Sequence, residues 1–114
     1  MRMIMLGLLA TIAISCRQTV EPPTQVSLSI QANTSVVTRG DTVTFTVNAT
    51  GNNLFGVTID YGDDATDQYA TGGALNARVT FKHAYTTAGS FTVRATVSDA
   101  VAGERDVTTL IVVN

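Results

Sequence analysis

A chain of 114 residues, 45% hydrophobic and 14% charged, has room for one ordinary domain and too much apolar content for disorder. Its single cysteine and single histidine exclude an internal disulfide, a thiolate zinc cluster, a CxxC redox pair and any site needing two imidazoles from one chain. A net charge of -2 leaves no basic footprint for nucleic acid, so no nucleic-acid partner is expected.

Met1-Arg2-Met3 supplies a short cationic start, and Ile4 to Ile14 then run without a charge. That pattern, closed by the small residues Ala13 and Ser15, predicts a secretory signal peptide over residues 1–15. The run falls short of the roughly 20 apolar residues of a spanning helix. Ile12-Ala13-Ile14-Ser15-Cys16 resembles the bacterial lipobox, with Ala13 where leucine is usual. The resemblance implies cleavage before Cys16, acylation of its thiol and new amine, and attachment to a membrane through that residue. Each buried CH₂ of an acyl chain adds about 0.8 kcal/mol, so several chains hold a small domain stably. Arg17 rather than aspartate follows the cysteine, which by the same resemblance implies the bacterial envelope's outer membrane or cell surface. Residues 16–25, with Pro22-Pro23 and no apolar period, read as an extended tether.

Residues 26–114 read as one all-β domain. Of the 99 residues from Cys16 onward, 18 are threonine and 14 valine, a β-branched composition suited to a half-buried pleated surface. Short runs begin at Val26–Gln31. The clearest strand follows at 42–49, where Val43, Phe45, Val47 and Ala49 share one face and Thr42, Thr44, Thr46 and Asn48 the other. Further runs lie at Leu54–Tyr61, Asn76–Lys82, 91–98 and Asp106–Val113, with Phe91, Val93, Ala95 and Val97 repeating the alternation. Turn chemistry separates them at Arg39-Gly40-Asp41, Gly51-Asn52-Asn53, Gly62-Asp63-Asp64, Gly72-Gly73 and Ala88-Gly89. About seven short strands at that spacing predict an antiparallel β-sandwich of immunoglobulin-like type.

Ile59-Asp60-Tyr61-Gly62-Asp63-Asp64 is similar to the W-D-F-G-D-G signature of PKD domains. His83-Ala84-Tyr85, Gly89-Ser90-Phe91-Thr92-Val93 and Val97-Ser98-Asp99 resemble the same family's H-x-Y, G-x-Y-x-V and V-x-D stretches, and Gly40 to Phe45 its second strand. The likeness spans residues 26–114, with Ile59 standing for the tryptophan and Asp64 for the second glycine. It implies an immunoglobulin-like fold in which Asp60, Gly62, Asp63, Tyr85 and Gly89 are structural. Asp60 and Asp63 would bracket a tight turn by accepting backbone N–H bonds, and Tyr85 would occupy a tyrosine corner.

No residue pattern signals catalysis. His83 stands alone, no G-x-S-x-G elbow occurs, and the carboxylates crowd into one turn. Asp60, Asp63, Asp64 and Asp67 are the candidates for a hard cation such as calcium, but their spacing is not that of an EF-hand loop. Turn formation is the plainer role, and no metal or cofactor is expected. Arg39-Gly40-Asp41 spells an integrin-binding tripeptide whose last two residues the PKD pattern already explains. The resemblance implies a cell-surface, lipid-anchored binding module, without catalysis, for an unknown protein or polysaccharide partner. The alternative is a structural spacer or envelope-assembly component with no soluble ligand. Phe55, Tyr61 and Tyr69 are the rings that decide between them: exposed, they offer a contact patch; buried, they favour the spacer.

Overall fold

The computed structural model describes residues 25–114. The expected signal peptide (1–15), Cys16 and all of the tether but Gln25 lie outside the described residues. Among the described residues, six strands follow one another without a helix: β1 (Ser27–Ala32), β2 (Val36–Val37), β3 (Thr42–Asp60), β4 (Thr66–Ala84), β5 (Gly89–Asp99) and β6 (Gly103–Val113).

The pairing shows why six strands make two layers. The first half of β3 lies between β1, with Ser27 opposite Thr50 and Ala32 opposite Phe45, and the second half of β4, with Thr42 opposite Ala84. The second half of β3 lies between the first half of β4, with Asp60 opposite Thr66, and β5, with Asp60 opposite Arg94. β5 pairs antiparallel with β6, and β6 pairs in parallel with β2 through Val112 and Val36. One layer is therefore β1, early β3 and late β4; the other is early β4, late β3, β5, β6 and β2.

Two of the expected turns are not turns. Gly51-Asn52-Asn53 and Gly72-Gly73 lie inside β3 and β4, each a continuous strand of 19 residues. The register slips between Thr50 and Leu54 and again between Leu54 and Gly56. Extra residues taken up as bulges bend a strand and raise its twist without ending its ladder. Gly72 and Gly73, at φ 62° and 87°, supply the matching bend in β4. Both strands thus pass together from one layer to the other, where the alternation alone reads three separate runs, at 42–49, Leu54–Tyr61 and Asn76–Lys82, and misses the first half of β4.

The inward faces follow the two-residue period. Val43, Phe45, Val47 and Ala49 of early β3 meet Val93, Ala95 and Val97 of β5, with Leu54, Val57, Ile59, Val79, Phe81, Ile111 and Val113 in the same buried cluster. Ile59 is fully enclosed at the position where the family signature carries tryptophan. Burying side chains of this size contributes about 1.5–3 kcal/mol each, which makes this cluster the main source of stability.

Candidate functional site

The acidic turn between β3 and β4 spends its carboxylates on the fold. Asp60 Oδ1 accepts the Gly62 N–H at 2.9 Å, and Asp63 Oδ1 accepts the Ala65 N–H at 3.3 Å. Asp67 Oδ2 accepts the Tyr61 hydroxyl at 2.7 Å. Asp64 sits at φ 74°, a left-handed conformation that aspartate tolerates better than most residues. Among the described residues, no group of three or more His, Cys, Asp and Glu is placed to hold a metal ion.

His83, twenty residues from Asp63 in sequence, arrives beside it because β4 folds back along β3. Its Nε2 donates to Asp63 Oδ2 at 2.7 Å, with the two side chains only 17% and 21% exposed. The imidazole lies flat on the Tyr61 ring, centroids 4.0 Å apart and planes 4° apart, and meets Tyr85 edge-on at 4.7 Å. Tyr85 in turn stacks on Phe91 of β5. An imidazole fixed between a carboxylate and two rings is a packed polar joint, and its hydrogen-bonded nitrogen is committed to Asp63.

Tyr85 Oη donates to the Tyr61 carbonyl at 2.8 Å, and the Tyr85 carbonyl accepts the Gly40 N–H at 2.8 Å. Through its hydroxyl Tyr85 therefore ties the loop after β4 to the end of β3, and through its carbonyl to the turn before β3. Burial, then the charges of Asp63 and Asp60, push the Tyr85 phenol well above its ordinary pKa. Burial, then the bond to Asp67, does the same for Tyr61. Both stay neutral donors. Removing the Tyr85 hydroxyl leaves a buried carbonyl short of a partner, so Tyr85→Phe should destabilise the domain by about 1 kcal/mol or more. Thermal melts of the two proteins check this, and equal midpoints would refute it.

The sequence reading gave Asp99 no role, yet it is the one buried charged residue among those described, 4% exposed. Its Oδ2 accepts the N–H groups of Asn52 and Asn53 at 2.7 and 2.8 Å; its Oδ1 accepts those of Val101 and Ala102 at 2.8 and 2.9 Å. One carboxylate thereby clamps the bend of β3 to the β5–β6 turn. Burial disfavours its charge, but the backbone donors outweigh burial and hold its pKa down at about 2. A signal existed: alternation from Val93 through Ala95 and Val97 aims the next odd residue inward, and that residue is an aspartate.

Of the three rings singled out from sequence, Tyr61 is buried, while Phe55 and Tyr69 are 54% and 57% exposed. Phe55 falls at the register slip between Leu54 and Gly56, which displaces it from the alternation that buries Leu54 and Val57. Both residues line a shallow groove of about 250 Å³, together with Gly56, Thr58, Gln68 and Ser98. That volume is below the roughly 300 Å³ at which enclosed small-molecule pockets begin. No carboxylate, imidazole or thiol lines it. Arg39, Gly40 and Asp41 form an exposed turn pinned by three backbone bonds, to Asn114, Tyr85 and Thr38.

A family model described as PKD domain matches residues 27–112. The chain belongs to the PKD family. PKD domains are immunoglobulin-like modules that often mediate protein–protein contacts and are generally non-catalytic. Among solved structures, the PKD domain of an M14-like peptidase from the Thermoplasmatales archaeon SCGC AB-540-F20 is similar, with a TM-score of 0.66 and 22% identity over 75% of this chain and 91% of that one. The PKD domain of the human VPS10 domain-containing receptor SorCS2 gives 0.57 and 21% over 90% and 82%. A CARDB domain from Pyrococcus furiosus, solved in complex with di-metal ions, gives 0.61 and 17% over 78% and 92%. At these identities the likeness is one of fold. No curated protein matches the chain.

Proposed function

We propose that this PKD domain is a non-catalytic binding module, held to the bacterial envelope by a lipidated Cys16, that contacts a protein or polysaccharide partner outside the membrane. One observation carries the binding reading: two large rings, Phe55 and Tyr69, stay more than half exposed beside a groove in a chain with seven aromatic residues in all. An aromatic side chain left in water gives up a large burial term, and rings held half in water are the usual anchors of recognition surfaces. A pure spacer has no use for them. Non-catalysis is the family's general character, carried over to this chain.

Arrays of peptides and of glycans probed with the chain test the binding reading. Binding to either kind of array, lost in the double variant Phe55→Ala/Tyr69→Ala, supports it; silence on both leaves the spacer. The anchor is tested separately. Cells fed labelled palmitate should label the wild-type chain and leave Cys16→Ser unlabelled and released from membranes. Label on the serine variant would end the lipoprotein reading.

A further inference from the structure

The bends of β3 and β4 give the sandwich two distinct ends. Ala74 of β4, Leu54 of β3 and Asp99 of β5 stand in one row. Just beyond that row lie Gly51 to Asn53, Leu75 and the β5–β6 turn, where the Ala100 N–H donates to the Asn53 carbonyl at 3.0 Å. β1 starts at this end too, with Ser27 opposite Thr50. The other end holds the acidic turn, the loop after β4 and the turn before β3, joined there by the bonds of Tyr85.

The chain enters the domain at the first of these ends. Gln25, Val26, Ala102, Glu104 and Arg105 line one cleft, Val26 is buried, and its carbonyl accepts Arg105 Nη1 at 3.3 Å. Ten residue steps separate Cys16 from Val26, a span of at most about 35 Å. Setting the acidic end on a membrane that holds Cys16 would use most of that span in running back along the sandwich, since Thr42 to Thr50 alone cover about 27 Å. Setting the entry end there needs almost none of it.

The chemistry of the two ends divides the same way. Leu75 and Val101, at 64% and 58%, are the most exposed large hydrophobic side chains among the described residues, and both lie at the entry end. One exposed leucine needs no explanation, but two such side chains flanking Asn53 make an apolar tip beside the root of the tether. Of the carboxylates near it, Asp99 is buried with both oxygens taken by backbone N–H groups, and Glu104 has Arg105 as its neighbour. Asp41, Asp60, Asp63, Asp64 and Asp67 gather at the far end, which an anionic headgroup layer repels. Phe55 lies one row below the tip and lines the groove on the flank. Resting on the lipid-anchor reading, we infer that the tip carrying Leu75 and Val101 is a membrane-contact surface: it sits on the headgroup layer of the bilayer that holds Cys16 and points the acidic end away from it.

The chain has no tryptophan, so a single introduced indole reports its own surroundings. Leu75→Trp, Val101→Trp and, at the far end, Thr87→Trp all change exposed residues and should melt with the wild type. Each full chain is purified in detergent and reconstituted with vesicles of phosphatidylethanolamine and phosphatidylglycerol, with plain or brominated acyl chains. Flotation of the vesicles reads the anchor, and quenching by bromine reads the contact. The chains should float, the indoles of Leu75→Trp and Val101→Trp should lose about half of their emission in brominated vesicles, and Thr87→Trp should emit equally in both. Floating chains with all three indoles unquenched, or with Thr87→Trp quenched as strongly as the others, overturn the contact surface and leave the anchor standing. Chains that do not float end the anchor and the contact surface together.

Discussion

An Asp99→Ala chain should melt roughly 15 °C or more below the wild type, since four part-buried N–H donors lose their acceptor at both ends of the clamp. The four N–H groups it serves belong to Asn52, Asn53, Val101 and Ala102, none of which pairs across a strand at that point. Asp99→Asn is the sharper variant. Its single amide oxygen replaces two carboxylate oxygens, and its NH₂ points donors at donors, so it should also fall well below the wild type at pH 7. The pH dependence has a fixed sign. A carboxyl held at about 2 instead of its ordinary 3.8 contributes fully above the ordinary value and loses that contribution as pH falls toward 2. The wild type should therefore lose more stability between pH 4 and pH 2 than Asp99→Asn does. Melts at pH 7, 4 and 2 read both effects, and parallel pH profiles for the two proteins would rule out the clamp. Gly51 belongs to the same device, because a Cβ there would collide with Asp99 Oδ2.

The second large effect is expected at Gly62, in the turn between β3 and β4. Its φ is 87°, and a Cβ on it would lie 2.6 Å from the Thr92 carbonyl oxygen and 3.2 Å from the Thr92 nitrogen. Those atoms are main chain in the middle of β5, so neither side can yield without moving a strand. Gly103, in the turn into β6, has the same φ of 87° and nothing within 4 Å of a built Cβ. The pair separates two costs. Gly103→Ala bears only the left-handed strain, about 1–2 kcal/mol, while Gly62→Ala adds the collision and should lose at least about 3 kcal/mol. Urea unfolding of the two variants measures the difference. Equal losses would mean that the approach of this turn to β5 has no energetic weight.

Both predictions concern the joints that hold the bent strands, and these joints mark how far the primary structure could be read. The acidic turn was legible because its partners are two residues apart: Asp60 with Gly62, and Asp63 with Ala65. The pairing of His83 with Asp63 was not, since only the register of β4 on β3 brings them together. Phe55 and Tyr69 could be named as rings to inspect, but the groove they line could not, because Gly56, Ala70 and Ser98 come to it from three strands.

By itself, the sequence determined which residues face inward, for a side-chain period of two is local and needs no partner. It also determined the all-β class and the family, through the Ile59–Asp64 and His83–Asp99 motifs at their spacing. The tertiary structure alone decided that Gly51–Asn53 and Gly72-Gly73 bend two long strands where turns between shorter runs were expected. A glycine permits a turn and a bulge equally, and the choice falls to whichever keeps the ladder paired while wrapping one core. That choice sets Asp99 as the clamp and lifts Phe55 into solvent.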